Sequence, residues 1–107
     1  MKCELNKEYT ERLVVSNQPI LDEPPFYQVT LENDDFTPME FVISLLETIF
    51  YMDRRKATGL MLEAHLKGRA VCGIYSKEVG ETKQSQAVDY ARKFGHPLTF
   101  SLEAAQA

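Results

Sequence analysis

The chain has no tryptophan and only two cysteines among its 107 residues. Cys3 lies near the amino terminus and Cys72 sits inside an apolar run. That pair predicts no disulfide framework, and Cys72 reads as a small core residue of a reduced protein. No apolar run approaches the ~20 residues of a membrane-spanning helix. Residues 1–8 lack the apolar stretch of a secretory signal, so a soluble cytoplasmic protein is expected. Positive charge is also scarce: 12 Lys and Arg stand against 16 Asp and Glu, a formal charge of −4. Basic residues cluster only at Arg54-Arg55-Lys56, which reads as the solvated start of a helix. Phosphate recognition needs more than that, and nucleic acid is excluded as a principal partner. The chain has no glycine-rich phosphate loop, nucleophile elbow or H-E-x-x-H pair. Asn33, Asp35 and Thr37 alternate as calcium ligands do, yet Pro38 and Ser44 stand where such a loop requires glycine and glutamate. Catalysis, a bound metal and a cofactor are therefore not expected.

What is present supports one compact domain, with 44 % hydrophobic residues. Residues 1–25 read as a flexible tail of mixed charge that Pro24-Pro25 closes. The folded domain is expected over 26–107. Phe26 to Leu31 reads as a strand with Tyr27, Val29 and Leu31 on one face. A helix is predicted from Pro38 to about Phe50, with Phe41, Val42, Leu45, Leu46, Ile49 and Phe50 at helical spacing. Thr37, Pro38 and Glu40 match a capping box with proline at the first helical position. A second helix is predicted over 54–67, capped by Asp53 and stopped by Gly68, with Ala57, Leu60, Met61 and Ala64 inward. Residues 70–75 read as an apolar strand. Ser76 starts a third helix that turns Val79, Ala87, Tyr90, Ala91 and Phe94 inward and ends at Gly95. Residues 97–102 give a last strand. The order is β-α-α-β-α-β: an α/β (α+β) two-layer domain with a small, mainly antiparallel sheet and three helices on one face.

The segment Asn33-Asp34-Asp35-Phe36-Thr37-Pro38-Met39-Glu40 stands out, because it holds three amide or acidic side chains between two rigid elements. Held acceptors beside apolar Met39 suit a small cationic ligand. By residue type alone, Asn33 and Asp34 equally describe an Asx turn before a helix, and His65 a half-buried histidine on a helix flank.

Five blocks in order, N-D-D-F-T-P-M-E-F at 33–41, A-T-x-x-M-L at 57–62, G-R-A-V-C-G at 68–73, E-T-K at 81–83 and G-H-P-L at 95–98, resemble the ClpS adaptors of the ATP-dependent Clp protease. The match spans roughly residues 24–102. The resemblance implies an adaptor that binds substrate proteins by a destabilising N-terminal Leu, Phe, Tyr or Trp and delivers them to a ClpA- or ClpC-type AAA+ unfoldase. It also implies a monomer and leaves a plastid stroma open as the compartment.

An exposed chain terminus presents an α-ammonium beside one side chain. The matching family positions for the ammonium are Asn33, Asp34 and His65, which supply an amide oxygen, a carboxylate and a neutral imidazole nitrogen. Affinity should then fall in acid, where protonated His65 becomes a donor facing a cation. The side chain is expected in a pocket walled by Met39, Met61, Ala64 and Leu98, with Thr37 and Pro38 at its mouth. Ala64 replaces a frequent valine, so a roomier pocket is expected; Leu66 replaces a frequent aromatic residue, on the opposite side of the helix from the core stripe. Glu78, Glu81, Thr82 and Lys83 match the family surface that meets the unfoldase. Lys83 shares a helical stripe with Val79 and Ala87, where a charge must snorkel or bind. The rival readings are an interaction module of the same fold without this pocket, and a small metal-dependent enzyme.

Overall fold

The computed structural model describes residues 25–105, so the expected tail lies outside the described residues except for Pro25. Strand β1 (Tyr27–Glu32) is the central strand. It pairs antiparallel with β2 (Arg69–Tyr75) from Tyr27↔Tyr75 to Glu32↔Arg69, and with β3 (Thr99–Ala104) from Tyr27↔Ala104 to Glu32↔Thr99. The sheet order is β2-β1-β3, antiparallel throughout. Strand alternation sends Val29 and Leu31 into the core. Arg69 crosses the opposite face and donates to Glu32 on β1 and Glu103 on β3, at 2.7 and 2.8 Å. A bulge at Val29/Thr30 leaves Cys72 outside the register, with its side chain buried. Strand β3 begins at Thr99, two residues after the predicted start, because Pro97 has no N–H to give to a ladder.

Helix α1 (Met39–Ile49) buries Val42, Leu45 and Leu46 as the spacing predicts, and Ile43 as well. Ile43 was not expected inside; α1 meets both α2 and α3, which widens its buried stripe. The predicted capping box does not form. Pro38 is the N-cap, in an extended conformation with no side-chain cap bond. The Thr37 hydroxyl donates to Asp34 and the Glu40 carboxylate accepts from Arg54. The Thr37 N–H and hydroxyl both donate to Asp34, which holds Thr37 in the preceding turn and leaves Pro38, with no side-chain acceptor, at the N-cap.

Helix α2 (Arg54–Lys67) follows the sequence reading at both ends. Asp53 accepts the Lys56 N–H at 2.8 Å, and Gly68 adopts φ +96° while its N–H donates to Ala64. Ala57, Met61 and Ala64 are buried, with Leu60 packed at the margin. Helix α3 (Lys77–Lys93) is capped by Ser76 and lies on the sheet through Gly80, Ala87 and Ala91. A methyl group at Gly80 would come within 2.9 Å of Leu102 Cδ1, so the helix approaches closely only through a residue without one. Val79 and Phe94, predicted to face inward, are 46 % and 52 % exposed. The small-residue face makes the contact and leaves Val79 beside it. Phe94 instead joins Phe41 and Tyr90 in an aromatic edge, with ring centroids 5.7 and 5.0 Å away. No helix among the described residues is long and apolar enough to cross a membrane.

Candidate functional site

The loop between β1 and α1 is organised by Asp34. Its Oδ1 accepts the N–H groups of Phe36 and Thr37 at 2.7 and 2.9 Å, and its Oδ2 accepts the Thr37 hydroxyl at 2.7 Å. This is the Asx-turn chemistry that the residue types allowed. A carboxylate has about four lone-pair positions, so roughly one on Oδ2 remains for a ligand. Burial pushes the Asp34 carboxyl up, but the Thr37 and Phe36 hydrogen bonds and the His96 charge outweigh it, and the net direction is downward. Asp34 thus stays ionised well into acid.

Asn33 lies one residue earlier and is tethered at its backbone N–H, which donates to the Gly68 carbonyl at 3.0 Å. Gly68 closes α2, whose last turn carries His65. The side chains of Asn33 and His65 are both exposed, and neither makes a hydrogen bond among the described residues. Their acceptor atoms are available.

These polar groups share one cavity of about 130 Å³ with apolar walls. Its polar side carries Asn33, Asp34, Asp35, Thr37 and His65. Met39, Met61, Ala64 and Leu98 line the apolar side. Pro38, expected at the mouth, does not line it. The walls follow from three local facts. Met61 and His65 are four residues apart on one ridge of α2. Ala64 lies against the core and has no bulk to fill the space. Leu98, buried just before β3, adds a further apolar wall. An apolar cavity near 150 Å³ accommodates a benzene ring, so this one suits a single large side chain.

Leu31, Glu32, Asp35 and Val42 also line the cavity and were not singled out as pocket residues. Strand alternation brings Leu31 there, and Val42 is three residues past Met39 on the same helix face, a signal that spacing could have supplied. Glu32, Asp34 and Asp35 together make the rim acidic. The Ser101 hydroxyl holds the Glu32 carboxyl below its usual value; burial opposes this and Arg69 reinforces it. No group of three metal-ligating side chains occurs among the described residues.

At the start of α3, Lys83 takes one of the two arrangements that its place in the helical stripe allowed. Glu78 and Thr82 are exposed, and the Thr82 hydroxyl donates to the Glu78 carbonyl at 3.1 Å. Lys83 is half-buried and donates from Nζ to the Ile49 carbonyl at 2.8 Å, with the Tyr51 ring centroid 4.6 Å away. It snorkels into the end of α1 rather than extending into solvent.

The family model described as ATP-dependent Clp protease adaptor protein ClpS matches residues 22–101. The solved structure of ClpS2 from Agrobacterium tumefaciens bound to L-phenylalaninamide is similar, with 37 % identity and a TM-score of 0.75. That match covers 78 % of this chain and 100 % of the Agrobacterium chain.

Proposed function

Because the chain belongs to the ClpS family of ATP-dependent Clp protease adaptors, we propose that its cavity binds substrate proteins by a free amino terminus carrying a bulky hydrophobic first residue. One observation carries this reading: a single cavity joins Asn33, Asp34 and His65 to the apolar wall of Met39, Met61, Ala64 and Leu98. The α-ammonium of a Leu, Phe, Tyr or Trp terminus donates to the Asn33 oxygen, the open Asp34 position and a neutral imidazole nitrogen of His65. Its side chain leaves water for the cavity, and burying a Leu or Phe contributes roughly 1.5–3 kcal/mol. L-Phenylalaninamide, the ligand of the similar Agrobacterium protein, pairs the same two groups, a free α-amine and a benzyl side chain.

Delivery to a ClpA- or ClpC-type unfoldase, by a monomeric and non-catalytic adaptor in the cytoplasm, completes the proposal. The exposed groups Glu78 and Thr82 fit the docking surface, with Lys83 shaping it from behind through Ile49 and Tyr51. Titration with a Phe-initiated peptide, amine free against acetylated, tests the reading. Binding lost on acetylation supports it; equal binding of the two overturns it. An interaction module of the same fold without such a pocket gives no amine-dependent binding.

A further inference from the structure

The cavity changes character with depth. Leu31, Val42, Met61, Ala64 and Leu98 line it and are each at most 7 % exposed, and all five are apolar. Every lining residue with a polar side chain is half-buried or exposed. Among the described residues, the inner end therefore offers no hydroxyl, amide or charged side chain. Backbone groups add little. Leu31 is paired on both sides, with Ala70 of β2 and Phe100 of β3. Val42 lies inside α1 and Met61 inside α2, and the Ala64 carbonyl already accepts the Gly68 N–H at 2.8 Å. The Met61 thioether is only a weak acceptor. A hydroxyl brought to this end leaves water and gains no partner of comparable strength, so its desolvation goes uncompensated.

We propose that the cavity selects a first residue whose side chain carries no polar atom, phenylalanine or leucine, and disfavours tyrosine. This rests on the reading of the cavity as an amino-terminus site and narrows it. The direction of the bound residue makes the argument specific. Its ammonium stays with the polar groups at the rim, so the side chain runs inward from there. The para position is the part of a phenyl ring furthest from the amine, and it lies deepest. A cavity of about 130 Å³ is close to the ~150 Å³ that holds benzene, so the ring occupies its full depth. Phenylalanine then presents only C–H groups to Leu31, Val42, Met61, Ala64 and Leu98. Tyrosine places its hydroxyl against the same wall. The isobutyl group of leucine is shorter and wholly apolar, so nothing in it is left unpaired.

The test uses the full chain and peptides that differ only in the first residue: phenylalanine, 4-fluorophenylalanine, tyrosine and N-acetylated phenylalanine, read by fluorescence anisotropy. Fluorine is close in size to a hydroxyl but has no proton to donate, so the 4-fluorophenylalanine peptide is expected to bind as the phenylalanine peptide does. The tyrosine peptide is expected to bind about ten- to hundredfold more weakly, the range for a buried polar group without a partner. Equal affinities for phenylalanine and tyrosine overturn the selection. A 4-fluorophenylalanine peptide as weak as the tyrosine one also overturns it, because room rather than polarity then decides. Acetylated phenylalanine binding as tightly as the free amine instead removes the amino-terminus reading, and the selection with it.

Discussion

The Asn33 backbone N–H and the Gly68 carbonyl are joined by a 3.0 Å hydrogen bond, which ties the acidic loop to the closing residue of α2. Two parts of the cleft, Asn33 and the helix turn bearing His65, are thereby held at one spacing. Gly68 has φ +96° and open space where a side chain would go, so a substitution there is strained by backbone alone. Gly68→Ala should cost about 1–2 kcal/mol, and Gly68→Asn less. In a domain of this size each kcal/mol lowers the unfolding midpoint by about 4–8 °C, measurable by circular dichroism. Equal midpoints for alanine and wild type would remove the strain argument.

Acid should loosen the Asp34 turn only at low pH. Its carboxyl lies below the ordinary value in the folded chain. Its contribution to stability is therefore complete above the unfolded value of about 3.9 and is lost as pH falls through the lower native value. Thr37→Val removes one donor and should move that loss to higher pH. Carbon-13 NMR titration of the Asp34 carboxyl follows it; an unmoved midpoint would mean the Thr37 hydroxyl contributes nothing.

Ala64 sets the room in the cavity. Ala64→Val adds two methyl groups to a wall that is already buried. It should penalise a Trp-initiated peptide over a Leu-initiated one by about tenfold, the low end of overpacking costs. Calorimetric titrations of Leu, Phe and Trp peptides check the ranking, and an unchanged ranking would count against Ala64 as a wall residue.

Lys83 supports the α1–α2 turn. Tyr51 holds φ +55°, and the Lys83 ammonium lies 4.6 Å from its ring centroid while bonding Ile49. Lys83→Met keeps the aliphatic stem and leaves that carbonyl without its donor, a loss of about 1 kcal/mol. Thr82→Ala, on the exposed face, should leave the unfolding midpoint within a degree or two. A Lys83→Met protein as stable as wild type would mean the ammonium makes no net contribution.

Cys72 is buried, and that burial pushes its thiol up to about 12. In a Cys3→Ser chain the remaining thiol should be inert to a disulfide reagent at pH 8 and react fully in denaturant. Fast reaction of the folded chain would mean that the strand bulge opens readily.

Local signals in the chain identified most of the fold. Asp53 and Gly68 mark α2 to the residue, and Ser76 marks the start of α3, because caps are set by side chains within a few positions. Alternation in 27–32 identified the central strand. The β1–α1 loop was legible as a polar cluster but not in its bonding. Thr37 could cap a helix or bind a carboxylate, and proximity to Asp34 decided it.

The sequence alone determined the elements, their order and the residue types of an amine site, since periodicity and capping act within one turn or a strand pair. Tertiary structure decided which side chains share a space. Glu32 and Leu31 entered the cavity because β1 ends beside α2, and Lys83 turned inward because Ile49 carries an unused carbonyl at the end of α1. Those outcomes depend on distances between segments up to 34 residues apart, and packing alone sets them.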